Sequence, residues 1–403
     1  MIRPLITLAA TLLIALMSLI GNRLTWDKAG EPLQVSATQG AEQLQLTGSA
    51  ARLSGDSYLR TAVSYAQAVY AAAQDKDRPG AVVLVRDDDP AVAAATTRLQ
   101  HFPINAPMLY VTDGGTRLPE ETQAELERLG PEGVMMDGNV QVYLAGNISP
   151  TVKSEVEGMG LKTRAIAAAD PASYAEVLDE FLATLEGNHA DVVLIAATNA
   201  LDYVYAGSDW NAHMGQAFAF VGPDGIPEAT RRMLQRRWPN YAYMYVFAPP
   251  EIVGEKVMAE LTRYGHVQRI EGVTPQEMAV SWAGYKDLGR VYGWWFGKEK
   301  RDVGWGYAEP GHNVLLAGPQ DWREIVPSGV LSHMGKHAML LLTENDGSIG
   351  EAAARFLHVL QPTRTHPSQQ IFTFAWVLGQ HVPDATVREL SDAIAVPERT
   401  THP

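Results

Sequence analysis

Apolar and polar positions along the chain follow two periods. Short continuous apolar runs, the mark of strands buried on both faces, fall at 81–85, 107–111, 141–145, 192–196, 217–221, 243–247, 314–317, 339–342 and 372–378. Between them lie stretches with helical spacing. Ala62, Ala66, Val69 and Tyr70 share one helical face after the turn Ser54-Gly55-Asp56, and a helix is predicted over 173–185. Strands alternating with helices of this length imply parallel sheets joined by right-handed crossovers.

The pattern repeats. LPEETQAELERLGPEGVMMDGNVQVYLAGNISPTVKSEVEGMG begins at Leu118. Related stretches begin IPEATRRMLQRRW at Ile226 and IGEAAARFLHVLQ at Ile349. Each runs through a turn, an acidic helix start, an apolar strand, a turn and a second amphipathic helix. Pro119 and Pro227 are 108 residues apart, and Gly160 and Gly265 are 105 apart. The preceding strand keeps its distance: 37 residues from Val82 to Pro119, 35 from Val192 to Pro227 and 36 from Val314 to Gly350. Self-similarity at a fixed period predicts three α/β units, at 51–161, 162–267 and 268–394.

The third unit is longer. Ile166 to Val192 spans 26 residues, whereas Ile270 to Val314 spans 44. The surplus is a Gly-aromatic insertion, 284–312, which holds Tyr285, Tyr292, Trp294, Trp295, Phe296, Trp305 and Tyr307. Its glycines disfavour a long helix. Residues 23–50 read as a linker or a short β segment, and 395–403 as a frayed tail.

Composition narrows the function classes. The chain is 46% hydrophobic and 19% charged, so it is globular. A formal net charge of −14 argues against broad nucleic-acid binding, which needs basic surface. With no cysteine, thiolate metal sites, iron–sulfur clusters and disulfides are excluded. Residues 1–22 (MIRPLITLAATLLIALMSLIGN) place Arg3 before an apolar run and read as an export signal. Either the signal is cleaved or it stays as an anchor, with membrane contact through 4–21. Both readings put the rest outside the cytoplasm, secreted or membrane-anchored.

Four segments taken in order carry a family resemblance: ARLSGDSYLRTA, AVVLVRDDDPAVAAA, APMLYVTDGGTRLPEETQAEL and VYLAGNISPTVKSEVEGMG. Together they resemble the cell wall-binding repeat 2 family. The resemblance covers about residues 51–392 and is sharpest in the first unit. The opening becomes IAAADPASYAEV at Ile166 and IEGVTPQEMAV at Ile270. The resemblance implies three small Rossmann- or toprim-like units packed with pseudo-threefold symmetry. It also implies non-covalent attachment to an anionic cell-wall polymer or surface glycan.

Parallel α/β sheets bind ligands beyond the carboxyl ends of their strands. Those ends carry Arg86, Asp87, Asp88, Asp89 and Asp113 in the first unit. The second has Asn199, Asp202 and Pro223, and the third Asp321, Glu344 and Asn345. The Asp after each first strand (Asp89, Asp202, Asp321) suits a helix N-cap. Asp87, Asp88, Asp89 and Asp113 are also weak candidates for a hard cation, and hence for a metal-dependent hydrolase. His333 and His337 stand at i and i+4, one face of a helix if the segment is helical. The basic run Arg231, Arg232, Arg236, Arg237, together with Arg86, is the candidate anion or polymer site. Tyr292, Trp294, Trp295, Trp305 and Tyr307 are candidate contacts for a sugar or partner. No nucleophile elbow or Walker loop is present, and no cofactor is expected. The expected function is a non-enzymatic envelope-binding protein. The alternatives are a membrane-tethered scaffold subunit using the aromatic insertion, or the metal-dependent hydrolase.

Overall fold

Each predicted apolar run is a strand. The structure, a computed structural model, describes residues 44–237, 242–291, 298–334, 336–362 and 372–396. The chain opens with β1 (Leu44–Thr47) and β2 (Ala50–Leu53). It continues through β3 (Val82–Arg86), β4 (Met108–Val111), β5 (Val142–Ala145) and β6 (Thr163–Ile166). Next come β7 (Val192–Ala197), β8 (Ala217–Val221), β9 (Ala242–Phe247) and β10 (Gly265–Arg269). The last are β11 (Asp287–Val291), β12 (Lys298–Val303), β13 (Asn313–Ala317), β14 (Ala338–Leu342) and β15 (Phe374–Leu378). Among the described residues the result is a mixed α/β fold of three large sheets with helices between the strands, and a two-stranded sheet, β11–β12.

The three sheets have one plan. Their orders are β4-β3-β5-β6, β8-β7-β9-β10 and β14-β13-β15-β2, all parallel, with β1 added antiparallel outside β2. In each, the apolar first strand lies inside the sheet. The fourth strand is the one that opens the next stretch of sequence: β6 pairs with β5, and β10 with β9. The third sheet is completed from the other end of the chain. Ala50 pairs with Ala375 and Leu53 with Leu378, so the N-terminal strand closes the chain on itself. Residues 44–53, read as linker and unit start, thus belong to the last sheet.

The helix after each fourth strand starts in the same way. Ser57 caps Tyr58–Val69, Asp170 caps Pro171–Glu186 and Thr274 caps Pro275–Gly284. Each side-chain oxygen accepts an orphan backbone N–H three residues on, and Pro171 and Pro275 sit where no donor is needed. A second device recurs at the PEET and PEAT segments. The Thr122 hydroxyl donates to the Tyr110 carbonyl and the Thr230 hydroxyl to that of Phe220, both at 2.7 Å. These bonds tie the following helix to the end of its strand.

Side chains of the second sheet alternate between two cores, as the two-residue period requires. Leu194, Ala196, Phe218, Phe220, Tyr245 and Phe247 join the main core. Val193, Ile195, Ala219, Val221, Met244 and Val246 pack under Met233, Leu234, Val257 and Leu261 on the other face. The insertion forms the antiparallel hairpin β11–β12, as its low helix propensity implies. Tyr292, Trp294 and Trp295 fall outside the described residues.

The closing strand is held by more than its ladder. Arg52 is buried, and its guanidinium donates to the carbonyls of Gly379 (2.8 Å) and Val382 (2.6 Å) and to Asp384 (3.1 Å). Truncation leaves two buried carbonyls without donors. Arg52→Ala is therefore expected to cost about 2–4 kcal/mol in urea unfolding. Asp384→Asn, at the exposed end of the same contact, should cost less than about 1 kcal/mol.

Candidate functional site

The acidic loop of the first sheet is occupied by its own neighbours. Arg86 forms a two-bond pair with Asp88, 2.8 Å each, which holds the Asp88 carboxyl below the usual range. Asp87 accepts the Tyr58 hydroxyl at 2.6 Å, and Asp89 caps Pro90–Thr96 through the Val92 amide. Asp113, with φ of 54°, pairs with Arg117. Among the described residues no three His, Asp or Glu are arranged to hold a metal ion. Across the gap, Arg323 lies 4.0 Å over the Tyr58 ring and is itself paired with Asp321. The strand ends of the first sheet thus meet the turn after β13. Burial, together with the bond to Asp87, pushes the Tyr58 hydroxyl up to about 12.

The recurring-cap expectation holds for Asp89 and Asp321, which accept the Val92 and Arg323 amides. It does not hold for Asp202, which lies within a 3-10 turn (Leu201–Val204) that Ala200 precedes.

The basic run folds into ion pairs. Arg232 and Arg236 both grip Glu176, and Arg236 also reaches Glu180 at 2.7 Å. Arg231 pairs with Glu260 at 2.8 Å and with Glu228. The two guanidiniums hold the Glu176 carboxyl below its ordinary range, Arg232 contributing most. Arg237 departs from the sequence reading. Its side chain is 1% exposed and clamps Asp179 through two bonds, with further donation to the Met233 and Ala190 carbonyls. No donor of Arg237 faces solvent, so it is an internal strut and not an anion ligand. The sequence shows the four arginines but not the acids 29 to 60 residues away that neutralise them.

Two of the candidate aromatic contacts are likewise interior. Trp305 is 6% exposed and Tyr307 3% exposed. This excludes both as sugar-stacking faces, and the seam between sheets is where they pack. Trp305 meets Trp210 at 5.1 Å, and Trp210 meets the buried Trp282 at 5.7 Å. Arg301 of the hairpin lies 4.1 Å over Tyr243, and the Tyr245 hydroxyl donates to Asp287, so β11–β12 rests on the second sheet.

The most unusual arrangement is a meeting of imidazoles. His333 ends the short helix Gly329–Ser332, and His337 has a positive φ of 47°, so the expected helical i, i+4 pair does not form. Instead both face histidines from elsewhere in the chain. His333 lies 4.6 Å from His101 and 6.3 Å from His213. His213 lies 4.5 Å from His337 and stacks on Trp305 at 4.6 Å. The Tyr307 hydroxyl is 2.8 Å from Nδ1 of His337, and the Tyr307 ring stacks on His312 at 3.7 Å. Burial lowers the pKa of all five imidazoles, to about 4 for His101 and about 3 for His213.

His101, His213 and His333 arrive from three successive segments at matching offsets. They stand 19, 21 and 19 residues after Val82, Val192 and Val314. Residues one turn earlier make the contacts between segments. Asn211 donates to Thr97 at 3.2 Å, and Ser332 donates to Asp209. At Gly329 an added Cβ would stand 2.2 Å from Oε1 of Gln100. Gly215 ends the helix Tyr205–Met214 in the left-handed region, and a Cβ there would lie 2.6 Å from His101. Only glycine allows both approaches. Sequence reasoning missed His101 and His213. The near-equal offsets were the signal that could have found them.

Asp209 is buried at this junction and accepts the Leu340 amide at 3.0 Å. Desolvation raises its pKa to about 8.

Scans against protein-family models and against curated proteins find no match. Solved structures do match. Cwp8 from Clostridium difficile superposes with a TM-score of 0.65 at 15% identity, over 87% of this chain and 52% of that one. Cwp6 from the same organism gives 0.67 at 15% identity, over 87% and 49%. The shared feature is the fold, and the chain spans about half the length of either neighbour. Among the described residues no helix is long and apolar enough to cross a membrane, and residues 1–22 lie outside them.

Two predictions follow from the buried charges. Arg237→Met removes both guanidinium bonds to the buried Asp179 carboxylate, leaving it the His189 ring at 3.2 Å, and should cost about 3–5 kcal/mol in urea unfolding. Asp209 binds its proton more tightly in the folded chain, so its contribution is full below about pH 4 and is lost as pH rises toward 8. Asp209→Asn should therefore flatten the fall in stability between pH 6.5 and 8, read from urea midpoints at a series of pH values.

Proposed function

We propose that this is a non-enzymatic protein of the cell envelope, presented outside the cytoplasm by its N-terminal segment. In this reading three α/β units, copied and diverged, close into a pseudo-threefold body that attaches to an anionic wall polymer or surface glycan. The observation that carries it is the shared plan of the three sheets, each completed by a strand from the adjoining segment and the last by the chain's own start. Two lines support it. The first-unit segments resemble the cell wall-binding repeat 2 family, and the fold is shared with the cell wall proteins Cwp8 and Cwp6 from Clostridium difficile. The acidic loop is taken up by internal pairing, which disfavours the metal-dependent alternative, while Arg231, Arg232 and Arg236 stay partly exposed despite their ion pairs.

The test is sedimentation of the purified protein with isolated envelope, before and after extraction of the anionic polymer. Retention that disappears on extraction is the expected result. Equal retention, or none in either case, argues against polymer attachment.

A second reading is a scaffold that docks a partner through the β11–β12 hairpin. It is favoured by Leu288, which is 70% exposed on a hairpin whose base is pinned to the second sheet. Since Trp305 and Tyr307 belong to the core, removing all of 284–312 would unfold the protein. Leu288→Ser is the appropriate variant. It should abolish co-purification of a partner and leave the unfolding free energy within about 1 kcal/mol of the parent.

A further inference from the structure

We infer that the five-histidine junction is an acid-sensitive latch that holds three segments of the chain together only while its imidazoles are uncharged. His101 follows the turn Thr97–Gln100, His213 lies on the helix Tyr205–Met214, His333 follows Gly329–Ser332, His337 precedes β14 and His312 precedes β13. Four of the rings are separated by 4.5 Å, 6.3 Å and 4.6 Å along the chain of contacts His337–His213–His333–His101. At such distances two imidazolium charges repel strongly, and more so where water is partly excluded.

The surroundings offer little compensation. Arg98 is the charge beside His101, and it is committed to Glu186. Lys286 faces His337 and adds positive charge. Lys336 sits next to His337 in sequence and lies over Trp376. Glu309 is the acid acting on His312. Asp209, one turn before His213, is bound by Ser332 and the Leu340 amide, and burial favours its protonated form. Nδ1 of His213 is buried without a hydrogen-bond partner among the described residues. The Ser332 carbonyl favours the charged ring, but burial and the neighbouring His337 and His333 outweigh it.

These are also the contacts that join the segments. Thr97 with Asn211, Asp209 with Ser332, and Gln100 against Gly329 all lie within one turn of a clustered histidine. Charging the cluster therefore acts on the junction itself, not on the interior of any sheet. The sign follows from the lowered pKa values. Above about pH 6.5 the imidazoles are neutral whether the junction is closed or open. Below that, the open form takes up protons that the closed form refuses. Each of His101 and His213 then shifts the balance toward opening by about tenfold per pH unit, until its own folded pKa is reached. Together they give about thirtyfold between pH 6.5 and 5.5.

The latch is independent of what the protein binds. It is tested by amide hydrogen exchange on the full chain between pH 7.5 and 5.0, corrected for the intrinsic pH dependence of exchange. Segments 97–101, 205–215 and 329–334 should lose protection selectively, by about thirtyfold between pH 6.5 and 5.5. Strands β3, β7 and β13 should hold theirs. The His101→Asn, His213→Gln double variant should lose most of the pH dependence and keep the share that His312, His333 and His337 supply, whatever its absolute stability. An imidazole NMR titration of the unaltered protein gives an independent reading, with midpoints below about pH 5 expected for both histidines. Midpoints near 6.5, uniform protection across pH, or an unchanged slope in the double variant would each overturn the inference.

Discussion

A parallel sheet cannot be finished by a tight hairpin, and this constraint governs the molecule. A fourth parallel strand must come from beyond a crossover. Here it comes from the opening of the next segment, as β6 and β10 do for the first two sheets. The third sheet has no following segment to draw on, so it recruits β2 from the start of the chain. Arg52 then fastens that strand to the loop after β15. The first sheet is complete within 82–166 and the second within 192–269, so it is the third that ties distant parts of the chain together. An edge that would otherwise present unpaired N–H and C=O groups is covered in the same step.

Charge is distributed according to the same logic. An acidic chain carries a dense basic run, and the structure spends it on interior organisation. Glu176 and Asp179 project from Pro171–Glu186 onto the helix that bears the arginines. Arg237 and Asp179 are buried together, an arrangement tolerated only when both charges are paired and further hydrogen-bonded. The acidic loop after β3 behaves in the same way, with Asp87, Asp88 and Asp89 each assigned to a separate local partner. Charged stretches that look like binding sites in sequence are here parts of the frame.

Where the segments meet, the frame changes character. Small residues, Gly215 and Gly329, let backbones and polar side chains come close, and histidines fill the end of the junction. Histidine is apolar enough to pack when neutral and costly to bury when charged. A seam built from it is conditionally stable, unlike the Val, Leu and Ala of the sheet interiors. The aromatic insertion adds Trp305 and Tyr307 to this seam and sends its hairpin over the neighbouring sheet.

What the sequence determined by itself was local and periodic. The nine apolar runs, the cap residues Asp89 and Asp321, and the spacing of about 105 residues could be read directly, because strand burial and helix capping depend on neighbours a few positions away. From these the parallel α/β class followed. Tertiary structure decided the rest. Nothing in AARL announces that it pairs with a strand more than three hundred residues later. The fates of Arg237, Trp305 and His333 also depended on partners that only folding brings near: Asp179, His213 and His101. Burial and long-range pairing are properties of the assembled sheets, and a residue's chemical type leaves both open until its surroundings are in place.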